Sequence, residues 1–376
     1  DTVMQIHDRL STISLSGHNV DKVEIIALGG TFSCYPEDYQ ESFTRDVYYA
    51  ANTFFDNRET PRERLSVEEE IKLNETARVR IIGYTIEDRP DYCNNAAVFQ
   101  KYRRFGVTRI QVGIQHTNQQ LLDKVNRGCT KEDAEVAIQN AKDSCFKIDG
   151  HWMPDLPGAT PEMDWEMFQD VIYSESLQLD QWKIYPCETV DHTEIKRWFE
   201  SGKYEHYPEE DLIELLMKVK QIVPPWIRLN RVIRDIPGNY HIAGIEKPNM
   251  RQIIQHKMKI NGLKCRCIRC REPKNKQIAM DGIADAEIII RKYDSSGGEE
   301  YFIGMENRKL DILYGFCRLR LSENAGKVKA VKKNKLGGKR IIESKTEVAF
   351  PELLGCALIR ELHVYGTMNA VDENQQ

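Results

Sequence analysis

The sequence lacks any long apolar segment. Its 376 residues contain no run of about 18 apolar side chains, so we expect no membrane-spanning helix. Residues 1–10 also lack the basic-then-apolar order of a secretory signal peptide. The chain starts with Asp1 instead of Met, within a helical pattern, so we expect it to be part of a longer protein.

Two further absences limit the class of protein. Ten cysteines are scattered singly, apart from one tight group formed by Cys265, Cys267 and Cys270, so a secreted disulfide framework is excluded. This usage is typical of a reducing compartment, and the expected location is cytoplasmic. Basic residues are not in excess, because 53 Lys and Arg face 58 Asp and Glu, a net charge of −5. Any affinity for nucleic acid must therefore come from local basic patches.

Short β-branched runs alternate with longer helical patterns over residues 1–240. This alternation predicts parallel strands joined by helices, and six units without a dinucleotide fingerprint favour a partial (β/α)6 barrel. Residues 58–78 are charged and lack strand signals, so we expect an excursion before the second strand. The predicted strands are Val23–Leu28, Val79–Ile86, Val107–Val112, Phe146–Gly150, Gln181–Ile184 and Ile227–Ile233, and the predicted helices are Tyr39–Phe55, Asn94–Phe105, Lys131–Ser144, Met163–Tyr173 and Glu209–Ile222.

The composition changes after residue 250. A linker of residues 251–280 carries nine cations against the single acid Glu272. Residues 281–376 then predict an α+β domain with antiparallel strands, and the lysine-rich segment 326–340 predicts a mobile insertion between strands. The strands predicted in this part are Ala286–Tyr293, Glu300–Met305, Ile312–Leu321 and Leu354–Tyr365.

Polar or glycine-rich motifs follow the predicted strands of the barrel. In a parallel barrel the chemistry lies at the carboxyl ends of the strands, so these motifs should meet at one mouth. Two glycines allow a ligand to approach the backbone closely, and a carboxylate beside an arginine can hold a ribose and a carboxylate together. The motifs are Gly29-Gly30-Thr31, Glu87-Asp88-Arg89, Gly113-Ile114-Gln115, Met153-Pro154-Asp155 and Tyr185-Pro186.

Several motifs together resemble one family. They are Gly29-Gly30-Thr31-Phe32, Pro36–Tyr39, Arg89–Tyr92, Met153–Pro157, Pro224-Pro225-Trp226 and Arg231–Pro237. This set is similar to the Elongator catalytic-subunit family, which joins a radical S-adenosylmethionine (SAM) barrel to an acetyltransferase domain. The resemblance implies that the SAM site contains Gly29, Gly30, Thr31, Glu87, Arg89 and Gln115. It also implies a 4Fe–4S cluster whose three cysteines lie upstream of Asp1, so we expect that this chain alone cannot cleave SAM.

The cysteine group predicts a structural zinc site. Three thiolates within six residues can share one zinc ion, with His241 or His256 as candidates for the fourth ligand. Cations around this group suit a phosphate backbone, although a solvated linker is the alternative. Three arginines of the sixth predicted strand are expected to share one face. The predicted tRNA-binding residues are therefore Arg228, Arg231, Arg234, Lys264, Arg266 and Arg269.

The last predicted strand is similar to the strand with which the family binds acetyl-CoA. The resemblance implies contacts with acetyl-CoA from Glu361, Leu362, His363 and Val364, and from Lys22 within the barrel domain. From the residues alone, an ordinary core strand and a solvated lysine remain the alternatives. The implied fold is thus a barrel of residues 1–250, a zinc-binding linker of residues 251–280 and an incomplete GNAT-like domain of residues 281–376.

The resemblance implies a tRNA uridine(34) acetyltransferase, also described as a carboxymethyluridine synthase. Such an enzyme uses SAM radical chemistry and acetyl-CoA to modify carbon 5 of the wobble uridine, because an unactivated methyl C–H bond needs a radical. The expected partners are the anticodon stem-loop of tRNA, with further Elongator subunits or a second copy left open, and no membrane. The alternatives are a protein lysine acetyltransferase and a non-catalytic tRNA-binding module.

Overall fold

A computed structural model describes residues 1–233, 240–245, 247, 249–274, 276–336 and 339–366. The helices are α1 Thr2–Leu15, α2 Glu37–Asn52, α3 Val67–Asn74, α4 Ala96–Arg104, α5 Gln119–Lys124, α6 Lys131–Asp143, α7 Pro161–Tyr173, α8 Glu194–Glu200, α9 Glu209–Ile222, α10 Met250–Ile260, α11 Ile268–Arg271 and α12 Lys276–Gly282. The strands are β1 Lys22–Ala27, β2 Arg80–Asp88, β3 Arg109–Gln115, β4 Lys147–Trp152, β5 Gln181–Ile184, β6 Thr189–Val190, β7 Arg228–Val232, β8 His241–Ala243, β9 Glu287–Ser295, β10 Gly298–Asn307, β11 Ile312–Leu321, β12 Lys327–Leu336, β13 Lys339–Val348 and β14 Leu358–Val364.

Six parallel strands form the first sheet, in the order β1-β2-β3-β4-β5-β7. All six predicted strands and the repeated strand-helix order are confirmed. Within the described residues β1 and β7 stay at opposite edges, so the sheet is an open half-barrel. Among these residues no helix is both long and apolar enough to cross a membrane.

Helices cover the outer face of the half-barrel because their apolar stripes need burial. Phe99 of α4, Ile138 of α6, Phe168 of α7 and Leu216 of α9 are fully buried in one cluster with strand residues such as Ile148. Each side chain of this size stabilises the fold by about 1.5–3 kcal/mol when it leaves water. The cluster therefore holds the helices against the strands whose carboxyl ends carry the motifs.

Capping signals decide where several helices start. Thr130 caps α6 in a reciprocal box with Asp133, and Ser66 caps α3 in the same way with Glu69. Such a box satisfies two backbone N–H groups that would otherwise lack partners. Helix α3 lies inside the predicted excursion of residues 58–78, which contains no strand.

A second, antiparallel sheet has the order β14-β11-β10-β9 and includes all four strands predicted after residue 280. Its register places alternate residues on a face that packs against the half-barrel, including Arg318, Arg320 and Arg360, each 5% exposed or less. The opposite face is partly solvent-exposed, as the 61% exposure of Ile290 and 73% exposure of Leu362 indicate.

The lysine-rich segment is an insertion between β11 and β14, as predicted, and it has regular structure that the sequence analysis did not assign. Strands β12 and β13 pair antiparallel from Lys327↔Val348 to Leu336↔Lys339 and form a hairpin. Val328 and Ala330 are buried, and the Val331 N–H donates to the Asn94 carbonyl at 3.0 Å. Alternation of small apolar residues with lysines thus produces a half-buried strand pair that packs on α4 and α6.

A cluster of eight charged side chains joins the two sheets. Arg360 donates to both oxygens of Asp180 at 2.7 Å and to both oxygens of Glu300 at 3.0 and 2.7 Å. Four cations face four anions, so the buried charges balance. The remaining members are Lys142, Asp143, Arg318, Arg320 and Glu361.

Candidate active site

A cavity of about 660 Å³ opens at the carboxyl ends of the half-barrel strands. All six residues predicted for the SAM site line it, and they come from the ends of β1, β2 and β3. This volume falls in the range of pockets that hold small molecules. The lining residues are Leu28, Gly29, Gly30, Thr31, Glu87, Asp88, Arg89, Gly113, Gln115, Arg127, His151, Met153, Lys183, Tyr185 and Arg231.

The two glycines after β1 adopt backbone conformations that only a residue without a side chain adopts easily. Gly29 has φ 128° and Gly30 has φ 124°, a region that L-residues rarely adopt. An ideal Cβ on either residue would meet no heavy atom within 4 Å, so open space lies directly above the backbone. A ligand can therefore approach these two peptide groups closely.

Glu87 lines the cavity, and both of its carboxylate oxygens have partners. Oε1 is 3.1 Å from Nδ1 of His151, and Oε2 accepts the N–H of Gly29 at 3.2 Å. Burial by itself would raise the pKa of Glu87, but the hydrogen bond and charge of His151 and the Gly29 N–H lower this pKa to about 2. The carboxylate is therefore ionised at neutral pH.

Arg89 does not pair with Glu87, although the sequence suggested that the two act together. Its guanidinium donates to both oxygens of Asp91, at 3.0 and 2.7 Å. This ion pair, only partly buried, holds the arginine along the cavity edge. Gln115, which also lines the cavity, has φ 75°, a strained conformation for a non-glycine residue that often marks a functional site.

Three polar residues of the cavity, Arg127, His151 and Lys183, were not among the residues predicted for the SAM site. Arg127 follows the third strand and donates to the Gly113 carbonyl, while His151 and Lys183 lie on β4 and β5. His151 and Lys183 are opposite each other in the register, so both side chains point to the inner face. Alternation of the polar residues Asp149 and His151 along β4 is the sequence signal that could have identified His151.

The strand predicted to contact acetyl-CoA is β14, at the edge of the second sheet. Glu361 is largely buried and accepts from Arg318 at 2.8 Å, whereas Leu362 and Val364 are 73% and 76% exposed. His363 stacks on Phe316 at 5.7 Å between ring centroids. The strand thus offers an exposed apolar surface and, among the described strands, one unpaired backbone edge.

Lys22 lies away from the cavity. It is the first residue of β1, paired with Arg80, whereas the cavity begins after the last residue of that strand. Seven residues at about 3.3 Å each separate it from Gly29 by roughly 20 Å. Lys22 therefore belongs to the opposite end of the half-barrel.

The cysteines of the linker come together as predicted. The sulfur atoms of Cys265, Cys267 and Cys270 all lie within 4.8 Å of one another. Among the described residues no His, Asp or Glu joins this group within that distance, so His241 and His256 stay predictions for the fourth ligand. Gln255 and Lys220 instead approach the Cys270 sulfur, each at 3.9 Å.

The six residues predicted to bind tRNA lie in different surroundings. Arg231 lines the cavity, whereas Arg228 is paired with Glu272 of the linker at 2.8 Å. The register of β7 shifts against β5 between Trp182 and Lys183, which places Arg228 opposite Gln181 and Arg231 opposite Lys183 although the two arginines are three residues apart. Arg234 lies outside the described residues.

The linker cations also differ in exposure. Arg266 is half-exposed and 3.6 Å from Asp311, and Lys264 lines a second cavity beside the cysteine group. Burial, together with the charges of Arg251 and Arg228, lowers the pKa of Arg269. The linker therefore contains a concentrated positive charge close to the cysteines.

Comparison with known proteins identifies the family. The model of the radical SAM superfamily matches residues 13–171, and that of the radical SAM C-terminal domain matches residues 179–260. A tRNA uridine(34) acetyltransferase of Dehalococcoides mccartyi is 35% identical over 98% of this chain and 74% of its own length. The chain belongs to this acetyltransferase family. Elongator complex protein 3 of Drosophila melanogaster, 34% identical over 99% of this chain and 62% of its own length, is a further relative.

A solved structure of the same family has the same fold. The archaeal Methanocaldococcus infernus protein, with an N-terminal deletion, gives a TM-score of 0.83 at 34% identity and covers 97% of this chain and 79% of the solved one. The tRNA uridine(34) acetyltransferase of that organism is 35% identical over 99% of this chain and 64% of its own length. This chain spans 58–64% of the length of the first curated relatives that it matches.

Membership in the radical SAM superfamily implies SAM and a 4Fe–4S cluster. The cavity fits a ligand of the size of SAM, since the glycine pair leaves its backbone open beside an ionised carboxylate. It does not supply the cluster ligands, because the described residues contain only one group of three possible metal ligands, and that group lies in the linker. Cys34 and Cys93 do not form such a group.

Proposed function

We propose that this chain is the SAM-binding and acetyl-CoA-binding part of an enzyme that modifies carbon 5 of the wobble uridine of tRNA. The observation that supports it most is the convergence of Gly29, Gly30, Thr31, Glu87, Arg89 and Gln115 on one cavity. Within that cavity the glycine backbone and the arginine would hold the methionine end of SAM. When bound, the cofactor and its cluster supply the radical that an unactivated methyl group requires.

The chain's own residues would position the ligands and exclude water. The polar wall of the cavity contains both an ionised acid and the cations Arg89, Arg127 and Lys183, so it can match the zwitterionic end of SAM. Desolvation lowers the pKa of Lys183, which nevertheless donates to Gln111 and stays fixed. Such preorganised groups need no rearrangement when a ligand enters.

Acetyl-CoA would lie along β14, with residues 281–376 as the incomplete GNAT-like domain of the proposal. The exposed side chains of Leu362 and Val364 support this position, as does the edge of β14 that is unpaired among the described strands. The amide groups of pantetheine can form hydrogen bonds with the backbone of such an edge strand. Glu361 and His363 would contribute through their neighbours Arg318 and Phe316. Lys22 is included in the proposed acetyl-CoA site on the family resemblance alone.

The linker of residues 251–280 would hold one zinc ion through its three cysteines, with a fourth ligand still to be identified. Three sulfur atoms within 4.8 Å match the donor set of a structural zinc site. The cations Lys264, Arg266 and Arg269, with Arg228, Arg231 and Arg234 of the half-barrel, would contact the phosphates of the anticodon stem-loop. Further Elongator subunits, or a second copy, are the protein partners proposed for the intact protein.

The function can be tested with the full reading frame, expressed without oxygen. Acetyl-CoA hydrolysis should rise when tRNA with uridine at position 34 is added, and should not rise with histone peptides. A tRNA with cytidine at that position is the matched control. Stimulation by histone peptides would support a protein acetyltransferase, and tRNA binding without any acetyl-CoA turnover would support a binding module; either result would overturn the proposal.

A further inference from the structure

A buried lysine of the half-barrel contacts the cysteine group of the linker. Lys220 lies near the end of α9 and is only 1% exposed. Its ammonium group donates to the sulfur of Cys270 at 3.9 Å. Among the described residues no carboxylate lies within 4.0 Å of this ammonium group. The charge of Lys220 is therefore buried next to sulfur instead of next to an acid.

A buried charge destabilises a fold unless an opposite charge compensates it. Arg271, a buried cation of the linker, meets this requirement because Glu306 lies 2.8 Å from its guanidinium. A neutral thiol cannot compensate the charge of Lys220 in the same way. Compensation requires thiolates, and a bound metal ion keeps its cysteine ligands deprotonated.

The proposed zinc site would supply the missing negative charge. A zinc ion with three thiolate ligands carries one net negative charge, and a neutral fourth donor such as an imidazole leaves that charge unchanged. The ammonium group of Lys220 then brings the sum to zero. A fourth thiolate would leave one negative charge uncompensated beside Lys220.

A second side chain also contacts the same sulfur. The amide nitrogen of Gln255, on α10, donates to the sulfur of Cys270 at 3.9 Å. Hydrogen bonds from outside the ligand set orient metal ligands and tune the affinity for the metal. Gln255 adds no charge, so the charge compensation depends on Lys220.

We propose that Lys220 is the buried counter-ion of a zinc centre formed by Cys265, Cys267 and Cys270, and that it positions the thiolate of Cys270. This inference rests on the proposed function, because it requires zinc at the cysteine group. It gives a role in metal binding to a residue of the half-barrel, outside the linker. Zinc binding thereby connects helix α9 to the linker through a contact between opposite charges.

The zinc affinity of the full-length protein tests this role. It is measured by competition with a chromophoric zinc chelator. Lys220→Met removes the charge but keeps the approximate size of the side chain, and should weaken zinc binding by about 10–100-fold. Lys220→Gln keeps an N–H donor without the charge and should also weaken binding. Lys218→Met, at an exposed lysine of the same helix, is the matched control and should bind zinc as wild type does.

Cobalt(II) in place of zinc gives a readout of the sulfur atoms themselves. The ammonium group stabilises the electron pairs of the sulfur, so the sulfur-to-cobalt charge-transfer band should move to lower energy in Lys220→Met. The band should stay in place in Lys218→Met. If Lys220 were important only for folding, its loss would weaken metal binding without moving the band.

The outcomes distinguish this inference from the proposed function. If the wild-type protein binds no zinc, the proposed zinc site fails, and the inference fails with it. If the wild-type protein binds zinc, but both Lys220 variants bind it as tightly and leave the cobalt band in place, only the role of Lys220 is refuted.

A crystal structure of the zinc-loaded wild-type protein decides the matter if both variants fail to fold. Contact between the Lys220 ammonium group and the Cys270 sulfur would support the inference. An ammonium group that pairs with a carboxylate instead would refute it.

Discussion

Replacing Arg360 by methionine should destabilise the protein strongly. All five N–H groups of the Arg360 guanidinium are used, toward Asp180, Glu300 and the Phe146 carbonyl. The side chains of Arg360, Asp180 and Glu300 are fully buried. Loss of the Arg360 guanidinium would leave three cations against four anions in a region that water does not reach.

The magnitude follows from that imbalance. Removing one partner of a buried ion pair costs about 3–5 kcal/mol, because the remaining charge stays desolvated. Lys142, at 3.9 Å from Asp180 and 3.6 Å from Glu300, offsets only part of this loss. Since domains are stable by about 5–15 kcal/mol, the substitution should remove a large share of the total.

The assay is urea unfolding followed by tryptophan fluorescence. Trp226, one of five tryptophans, stacks on Tyr293 with 4.4 Å between ring centroids, so part of the emission reports the contact between the two sheets. Adding Glu300→Gln to Arg360→Met restores the charge balance and should recover part of the stability. Arg197→Met, at a 79% exposed arginine, should change stability by less than about 0.5 kcal/mol. A loss below about 1 kcal/mol for Arg360→Met would refute the reasoning.

Three further predictions concern the sites. Cys267→Ser should abolish zinc binding and lower the melting temperature, measured by metal analysis and calorimetry, whereas Cys356→Ser outside the group should not. Because the pKa of Glu87 is lowered from 4.5 to about 2, its ionised form stabilises the folded protein above pH 4.5, and this stabilisation is lost as the pH falls toward about 2. After screening by solvent the contribution is about 1–2 kcal/mol. In Glu87→Gln the free energy of unfolding should therefore depend less on pH in this range. Gly30→Ala should cost about 1–3 kcal/mol of stability and weaken S-adenosylhomocysteine binding; an unchanged affinity would contradict the close approach of the ligand.

The sequence predicted the parallel half-barrel well because its strands are short and bounded by clear signals. Strand β5, Gln181–Ile184, and helix α9, Glu209–Ile222, begin and end at the residues that their apolar patterns predicted. The convergence of the rim motifs also followed from general rules, because the carboxyl ends of parallel strands meet at one edge. Sequence patterns were therefore sufficient for the strands and helices whose positions depend mainly on neighbouring residues.

Other features depend on contacts that sequence spacing does not reveal. The hairpin of residues 327–348 was missed because its lysines dominate the composition, while its burial depends on α4 and α6. The pairing of Glu87 with His151 joins residues 64 positions apart on different strands, and Arg360 reaches Asp180 across 180 positions. Helix α3 could have been found from Ser66 and Glu69, whose spacing is that of a capping box.

The ionic character of the contact between the two sheets limits how the protein can be recombined. In an apolar contact, the residues of one sheet can be replaced by others if the total side-chain volume is kept. A contact of four cations and four anions requires each charge to meet its counterpart, so a chimera that joins this half-barrel to the second sheet of a distant relative should fold only if matching ions are exchanged with it.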